Sequence, residues 1–483
     1  MKQLKWIYAV HAFFFIACCL VSFVNHYLFR TYAHDLGIAN QALYEFAHFK
    51  NHYSTLLLRP DPTHYLGLHV GIWVPLLSPF YYVFGSYTLL LFQNIAIVFC
   101  AIGIYKYAQT KQLSNAISTL IVVQFYCIWS LYTAVAFDFH DTVMAIAFVP
   151  WLFMSYAHKK WIPFALCFAA ILLSKENESI WLIGILLGLI VKHKQYSFKQ
   201  NKVALGFGFI AIAWFCFCSF IFMPYLSPTG NFEQLSRYSH LGQSIGEIIY
   251  TTITNPLYVF KQFFVSNAPN DPDTIYKTTF YVTLLASGAL AFVIRPYYLL
   301  MILPLLAQKM LSKVVSFWGV NQHYSIEFAP LLTLAVIDVL ILFRQTKWQG
   351  LITVALIITS FTATYSKMFS AKHTYIAGEN LFEPVHYQSP VELSKVYEVI
   401  DKIDNDIPLS VSAQLAPHLY KRALLYHFPI VHNAAKIVLL KGNQTATYPL
   451  YPQNYFHKLD SLKQSNDWKI EIENNEIIVF KRP

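Results

Sequence analysis

The sequence predicts a polytopic α-helical membrane protein with about 11 transmembrane helices and a small C-terminal α/β domain. Three observations predict this class. Of the 483 residues, 56% are hydrophobic and only 12% are charged, whereas about a quarter of the residues in typical soluble domains are charged. Apolar runs of about 17 to 25 residues, long enough to cross a bilayer, recur from Trp6 to about Met368. These runs stop near Ser370, where polar residues become common.

The N-terminal run begins like a signal peptide, with Met1–Lys5 followed by a mostly apolar stretch to Phe29. It is too long and lacks a small-residue cleavage site, so we expect an uncleaved signal anchor. A transmembrane domain is expected over residues 1–369. Its spans are expected at about 6–29, 86–105, 114–133, 143–157, 162–174, 179–191, 203–224, 279–294, 296–311, 326–343 and 349–367.

The basic residues indicate membrane topology. A net charge of +10 also occurs in nucleic-acid-binding proteins, but here Lys and Arg lie in short clusters between apolar runs. They are concentrated in the connections that face the cytoplasm if the N-terminus is inside. An odd number of spans then places the C-terminus outside. We therefore predict a multi-pass protein of the cytoplasmic (inner) membrane, with no nucleic-acid partner.

Two connections are unusually long, and both are predicted to lie outside. They are the first long loop, about residues 30–85, and the second long loop, about residues 223–277. In the first long loop, apolar residues at helical spacing from Leu36 to Phe46 predict a helix, and Val70–Phe84 is apolar but broken by Pro75 and Pro79. Both segments are expected to be interfacial helices. Because loops of this length are often functional, we expect the function to face outward.

The C-terminal segment, residues 370–483, is predicted to be a soluble extracytoplasmic α/β domain. A helix is expected from Ser389-Pro390 to about Ile403, because serine caps helices and proline suits their first position. The expected strands are Leu409–Ser412, Lys436–Leu440, Lys469–Glu473 and Ile477–Lys481, the last two forming a hairpin. The segment is either a lid or acceptor-binding domain or a packing domain.

The sequence names no certain cofactor. All seven cysteines lie in apolar stretches, and none is spaced with histidine as a zinc ligand would be, so we expect neither disulfides nor zinc. The C-terminal segment has no glycine-rich phosphate loop. A divalent cation bound by the carboxylates described next is the remaining cofactor to consider.

Ionisable residues at the edge of a membrane core are costly and are therefore candidates for function. Asp35 follows the first span, where a carboxylate could take a proton from an attacking hydroxyl or bind a divalent cation. Its alternative role is an N-cap of the following helix. Asp138, His140 and Asp141 form a short loop between two spans and could act as an acid/base or metal-binding set. The alternative is a solvated boundary loop.

Two further clusters could bind an anion. Lys175-Glu176 interrupts an apolar region, and Lys175 could bind a phosphate that Glu176 orients. A turn held by local pairing is the alternative. Arg237-Tyr238 lies in the second long loop, and His323-Tyr324 lies at the mouth of a later span. Arginine can bind phosphate through two nitrogens, although each of these residues taken singly also fits an interfacial position.

Taken in order, these residues resemble a family of predicted bacterial and archaeal membrane proteins of unknown function, DUF2079. The resemblance covers nearly the whole chain, and it departs from the family pattern at Asn40, Asp141 and Asn177. The residues that carry it are Asp35-Leu36-Gly37-Ile38, Gln41-Ala42-Leu43, His69, Pro75-Leu76-Leu77-Ser78-Pro79-Phe80-Tyr81, Leu89-Leu90, Gln93, Asp138-Phe139-His140, Lys175-Glu176, Arg237-Tyr238, Leu241-Gly242, His323-Tyr324, Pro417-His418-Leu419 and Arg422.

That family is in turn similar to the GT-C membrane glycosyltransferases, which use polyprenyl-phosphate sugars and carry an essential acidic residue in the first outer loop. The resemblance implies a GT-C-like fold, with Asp35 as the general base or the carboxylate that orients it. It also implies that the segment from His69 walls the groove for the lipid donor. The implied partners are membrane lipid, a polyprenyl-phosphate sugar donor and a glycan, lipid or protein acceptor.

The leading hypothesis is an inverting transfer of a sugar to an acceptor at the outer face of the membrane. Asp138 and His140 would complete the acid/base set or hold a cation. Lys175, Arg237 and His323 would stabilise the departing phosphate, with Glu176, Tyr238 and Tyr324 beside them in the substrate site.

Two other classes of function remain open. A transporter or flippase of a lipid-linked or anionic solute would use the same Lys and Arg residues, but few ionisable residues lie deep within spans, and Asp338 is the clearest exception. However, no repeat typical of transporters is apparent. A non-enzymatic assembly protein would need the clusters only as helix caps and boundary residues.

Overall fold

The computed structural model describes residues 2–50, 52–59, 61–194, 198–268, 274–368, 380–389, 391–442 and 446–483. The chain divides into two compact units. The helical unit comprises Met1–Cys18, Gln93–Tyr225 and Gly230–Ser370. The mixed unit comprises Cys19–Phe92, Leu226–Thr229 and Ala371–Pro483. The first long loop and the C-terminal segment therefore belong to the same unit.

The first 110 residues contain the expected N-terminal helix and the expected helix of the first long loop. The elements are α1 (Lys2–Tyr27), α2 (Ile38–Ala47), β1 (Tyr53–Ser54), β2 (Thr63–His64), α3 (Tyr65–Leu68), α4 (Trp73–Leu77), α5 (Tyr81–Phe84) and α6 (Thr88–Thr110). A π-helical turn, Ala33–Gly37, leads into α2. A 3-10 turn at Ser78–Phe80 separates α4 from α5, and Pro79 lies in this turn, because proline cannot donate the hydrogen bond that a continuing helix needs.

Between α6 and residue 368, the described residues form sixteen α-helices. They are α7 (Asn115–Tyr126), α8 (Trp129–Val135), α9 (Asp141–Ile146), α10 (Val149–Ala157), α11 (Trp161–Leu172), α12 (Glu178–Lys192), α13 (Phe198–Phe217), α14 (Met223–Leu226), α15 (Ile245–Thr254), α16 (Pro256–Gln262), α17 (Ile275–Ala286), α18 (Leu290–Ile294), α19 (Tyr297–Met310), α20 (Val315–Trp318), α21 (Phe328–Leu340) and α22 (Lys347–Met368).

Several of these helices are long and apolar enough to cross a membrane. Within the described residues there are five, or six if α7 and α8, which meet at 51°, form one broken span. That break lies inside the expected span at 114–133, where Ile128 takes an extended conformation. Three further apolar helices are 10–17 residues long. The count of eleven spans therefore stays a prediction.

Close contact between α12 and α19 depends on two glycines of α12. A Cβ atom at Gly188 would lie 2.4 Å from Cγ of Met301, and one at Gly184 would lie 2.7 Å from Cγ of Pro304. Neither distance is possible for a real side chain. The glycines therefore let the two helices approach closely, as small residues do between membrane helices.

Asp338, on α21, forms a buried ion pair with Lys192 at the end of α12. The hydroxyls of Tyr107, Tyr297 and Tyr298 donate to its carboxylate at 3.0–3.1 Å. Its charge is thus neutralised and its oxygens are hydrogen-bonded. This arrangement joins four helices, α6, α12, α19 and α21. A structural role is therefore sufficient to explain the buried charge of Asp338, and no transported solute is needed to explain it.

The C-terminal segment contains a five-stranded sheet and two helices. The elements are α23 (Leu393–Ile400), β3 (Leu409–Val411), β4 (Leu425–His427), β5 (Lys436–Leu440), α24 (Pro452–Gln464), β6 (Lys469–Glu473) and β7 (Ile477–Lys481). The strand order is β4-β3-β5-β7-β6. β3 pairs in parallel with both β4 and β5, and β7 pairs antiparallel with β5 and β6. Tyr455 and Leu459 of α24 pack against the sheet in a shared apolar core.

The four strands expected in this segment are confirmed, as is the hairpin of β6 and β7. β4 and α24 were not predicted. The expected helix begins later than predicted, at Leu393 with Glu392 as its N-cap residue. The expected first position, Pro390, lies outside the described residues.

Candidate functional site

In the helical unit, Asp138 and His140 lie in the loop between α8 and α9. Asp138 is buried and has a left-handed backbone conformation, with φ of 51°. The side-chain amide of Gln93 donates to its carbonyl oxygen at 2.9 Å. Residues held in this strained region cluster at functional sites. Asp141 begins α9, where a carboxylate is favoured by the helix dipole, so a structural role accounts for it.

His323 brings a second predicted cluster to this loop. Its imidazole ring stacks on that of His140, with centroids 3.3 Å apart, and Phe137 stacks on both at 5.6–5.7 Å. His323 begins a 3-10 turn just before α21. The hydroxyl of Thr133 on α8 donates to the carbonyl oxygen of Gln322 at 3.1 Å and joins the two loops.

A chain of aromatic rings continues from His323 to Arg237. Tyr324 lies 4.0 Å from His323 and 4.3 Å from Phe317, measured between ring centroids. The guanidinium of Arg237 lies 4.8 Å from the centroid of Phe317, which is a cation–π distance. The third predicted pair, Arg237 and Tyr238, therefore adjoins His323-Tyr324.

Gln308, at the end of α19, joins the Lys175-Glu176 region to Arg237-Tyr238. Its carbonyl oxygen accepts from the Tyr238 hydroxyl at 2.8 Å, and its Oε1 accepts from Asn177 at 3.0 Å. Burial raises the pKa of Tyr238 to about 12, so its hydroxyl stays protonated and donates. The three clusters predicted in the helical unit are thus linked into one group, Lys175-Glu176 through the adjacent Asn177, and we call this group the polar cluster.

Three ionisable residues of this region, Glu178, Lys309 and Glu327, were not among the predicted site residues. Glu178 is fully buried and in electrostatic range of both Lys175 and Glu327. Lys309 is also buried, and its ammonium donates to the carbonyl oxygens of Gly319 at 3.2 Å and Tyr324 at 3.3 Å. Lys309 and Glu327 fall just inside the ends of the expected spans 296–311 and 326–343, so a search for charged residues within those spans would have found both.

In the mixed unit, Asp35 lies half-buried within the π-helical turn Ala33–Gly37. The N-cap positions of that turn and of α2 belong to Tyr32 and Gly37, and neither makes a side-chain capping bond. Asp35 therefore occupies neither of these N-cap positions. π-Helical turns of this kind are frequent at functional sites.

His34, next to Asp35, packs against the C-terminal segment. Its Nε2 lies 3.4 Å from Nδ1 of His427, and its ring meets that of Tyr448 edge-on at 5.6 Å. Burial lowers the pKa of His34, and burial with the neighbouring His34 lowers that of His427 to about 3. This pair is therefore neutral near pH 7. His69, also in the mixed unit, is partly buried between α3 and α4.

The structure thus divides the ten predicted site residues. Eight belong to the helical unit and form or adjoin the polar cluster, whereas Asp35 and His69 belong to the mixed unit. Among the described residues, no three His, Cys, Asp or Glu side chains are placed to hold a metal ion.

Comparison with known families assigns the chain. The model of the family described as predicted membrane protein (DUF2079) matches residues 25–479, so the chain belongs to this family. No curated protein sequence matches significantly.

The solved structures that resemble this chain include two of ArnT from Cupriavidus metallidurans. The structure bound to undecaprenyl phosphate has a TM-score of 0.52 and 11% sequence identity, covering 99% of this chain and 98% of that chain. The apo structure has a TM-score of 0.49 and 12% identity, with the same coverage. The first comparison shows that this chain has the ArnT fold over almost its entire length.

Proposed function

We propose that this protein is a membrane glycosyltransferase that moves a sugar from a polyprenyl-phosphate donor to an acceptor at the outer face of the membrane. The observation that carries the proposal is the polar cluster, in which His140 and His323 stack beside Tyr324 and Arg237. Arginine and histidine side chains can both donate hydrogen bonds to phosphate oxygens. The ArnT fold supports the proposal, because that protein was solved with undecaprenyl phosphate bound.

The reaction would be an inverting displacement at the anomeric carbon. The acceptor oxygen or nitrogen forms a bond to that carbon as the bond to the phosphate oxygen breaks, and the lipid phosphate leaves with the electron pair. Asp35 takes the proton of the acceptor, or orients the acceptor so that this proton is lost. General bases of this kind typically contribute about 10²–10⁴-fold to a rate.

The polar cluster would act on the leaving group. Negative charge grows on the phosphate as the bond breaks, and cations already in place stabilise it without reorganisation. Lys175 and Arg237 are assigned this role as cations, and His323 is assigned to stabilise the phosphate as a hydrogen-bond donor. Asp138 and His140 complete the acid/base set or hold a divalent cation, and the segment from His69 lines the groove of the lipid tail. No nucleotide is needed, since the phosphate ester already activates the sugar.

The proposal places the protein in the cytoplasmic membrane with its N-terminus inside. The first long loop, the second long loop and the C-terminal segment then face outward. This orientation rests on the distribution of Lys and Arg between the apolar runs.

Sugar transfer by the purified protein tests this proposal. The protein in lipid nanodiscs is given a panel of radiolabelled polyprenyl-phosphate sugars, with membrane extract as the acceptor. We expect label to move from one donor into a new product. If no donor is consumed, and the protein in vesicles instead carries a labelled lipid or anion across the bilayer, the protein is a transporter and the proposal is wrong.

A further inference from the structure

Gln41, on α2, binds the main chain of the C-terminal segment. Its Nε2 donates to the carbonyl oxygens of Arg422 at 3.0 Å and Ala423 at 3.4 Å. Its Oε1 accepts from the hydroxyl of Ser54 at 2.9 Å. Gln41 is almost fully buried, so these contacts form away from water, where an unmade hydrogen bond is costly.

Thr55 makes a second connection of the same kind. Its hydroxyl donates to the carbonyl oxygen of Leu425 at 2.7 Å and accepts from the backbone N–H of Leu425 at 3.0 Å. Leu425 is the first residue of β4, which is an edge strand of the sheet. One threonine side chain therefore satisfies both backbone groups of an edge residue that would otherwise be exposed for pairing.

Arg422 holds its own loop in place through hydrogen bonds to backbone carbonyls. Its buried guanidinium donates to three carbonyl oxygens, those of Leu419 at 2.7 Å, Ile407 at 3.0 Å and Asp404 at 3.1 Å. Burial lowers the pKa of Arg422 to about 10, which still leaves it charged near pH 7. The carbonyls that Gln41 binds therefore belong to a loop that is itself held in place.

The turn that carries Asp35 lies against the same loop. A Cβ atom on Gly37 would be 3.3 Å from Cβ of Ala416, which shows how closely the backbone approaches it. The buried side-chain amide of Asn40 donates to the carbonyl oxygen of Pro417 at 3.3 Å. The Asp35 turn and α2 are thus fixed to the C-terminal segment by side-chain bonds to its backbone and by direct packing.

We propose that Gln41 and Thr55 are positioning residues, which use the C-terminal segment as a support to hold the Asp35 turn in its working geometry. The inference rests on the proposed function, in which Asp35 serves the acceptor. On this inference the C-terminal segment is a rigid support for the Asp35 turn, and not a lid that opens independently. Small displacements of reacting groups reduce rates strongly, so loosening this support slows the reaction without weakening the binding of a donor held elsewhere.

The test compares Thr55→Val with Thr55→Ser in the full chain in nanodiscs. Valine has the shape of threonine without its hydroxyl, whereas serine keeps the hydroxyl. Backbone hydrogen exchange over residues 38–47 and 425–427 should be about tenfold faster in Thr55→Val, because two hydrogen bonds are lost. The kcat of transfer should fall about tenfold or more with the donor KM unchanged. Thr55→Ser should match the wild type in both, and Gln41→Leu should behave like Thr55→Val.

Two results would overturn the inference. One is unchanged exchange over residues 38–47 in Thr55→Val and Gln41→Leu, which would mean that these bonds do not hold α2. The other is faster exchange with unchanged kcat, which would mean that the bonds are structural only. Failure of the proposed function is a different result, namely no transfer by the wild-type chain.

Discussion

The imidazole rings of His140 and His323 stack with their centroids 3.3 Å apart. His140 is the N-cap residue of α9, and His323 begins the turn before α21. The stack therefore joins two distant parts of the chain and brings four ring nitrogens into one small region. In the proposed reaction, His323 stabilises the donor phosphate, and His140 completes the acid/base set or holds a divalent cation.

His323→Phe separates the chemistry of this stack from its packing. Phenylalanine can still stack on His140 and Phe137, so the variant should fold and purify normally. It removes both ring nitrogens, and we expect kcat to fall about 100-fold, as for other groups that stabilise developing charge. His158→Phe, at an exposed histidine, is the control and should leave the rate unchanged. Full activity of His323→Phe would remove His323 from the proposed site.

Arg237→Lys tests whether a planar guanidinium is needed. Lysine keeps the positive charge but loses the paired donors and the flat surface that lies over Phe317. We expect the donor KM to rise about tenfold with a smaller effect on kcat. Arg344→Lys, at an exposed arginine, serves as the control. Equal donor KM values in Arg237→Lys and the wild type would contradict a phosphate contact here.

Glu45 on α2 makes stability depend on pH. Burial raises the pKa of its carboxyl to about 8, although Lys50 opposes the shift. The unfolded chain loses this proton near pH 4.3. The folded state therefore holds the proton more tightly, and the free energy of unfolding falls as pH rises from about 4.3 to about 8. Glu45→Gln should raise the Tm at pH 9 and leave it nearly unchanged at pH 4. Thermal unfolding of both proteins at the two pH values checks this, and an equal Tm at pH 9 would contradict it.

The buried pair of Lys192 and Asp338 should matter for stability and not for specificity. Asp338→Asn leaves the Lys192 charge buried without its counter-ion, and loss of one partner of such a pair typically costs about 3–5 kcal/mol. The double variant Lys192→Met with Asp338→Leu should recover much of the lost Tm. Substrate preference should be unchanged in the double variant. A change in which solute or lipid is handled would instead support transport through this region.

The sequence predicts those elements whose pattern is set locally. Helical spacing of apolar residues marks α2, and β-branched runs mark β5 and β7. β4 was missed because its three residues, Leu425–His427, include no β-branched side chain. α24 was missed because it is largely polar and buries only Tyr455, Leu459 and Leu462, although Pro452 at its first position was a usable signal.

The site was predicted in pieces but not in its assembly. Each pair of polar residues could be found because a charge near an apolar run is costly. Their meeting depends on helix packing, such as the Gly188 contact of α12, which the spacing of residues does not reveal. The attachment of the Asp35 turn and α2 to the C-terminal segment depends on bonds from single side chains, such as Gln41 and Thr55, to backbone groups, and residue spacing does not reveal those partners.

The central claim is that this chain transfers a sugar and uses Asp35 to do so. The most direct test measures transfer of label from polyprenyl-phosphate sugars by the wild type, Asp35→Asn, Lys175→Ala and Asp61→Asn, a control at an exposed residue of the same loop. We expect the wild type and Asp61→Asn to form product at equal rates, and folded Asp35→Asn to lose at least about 100-fold in kcat. Lys175→Ala should be slower than the wild type. Product formed by Asp35→Asn at the wild-type rate, or no product from any donor, would contradict the account.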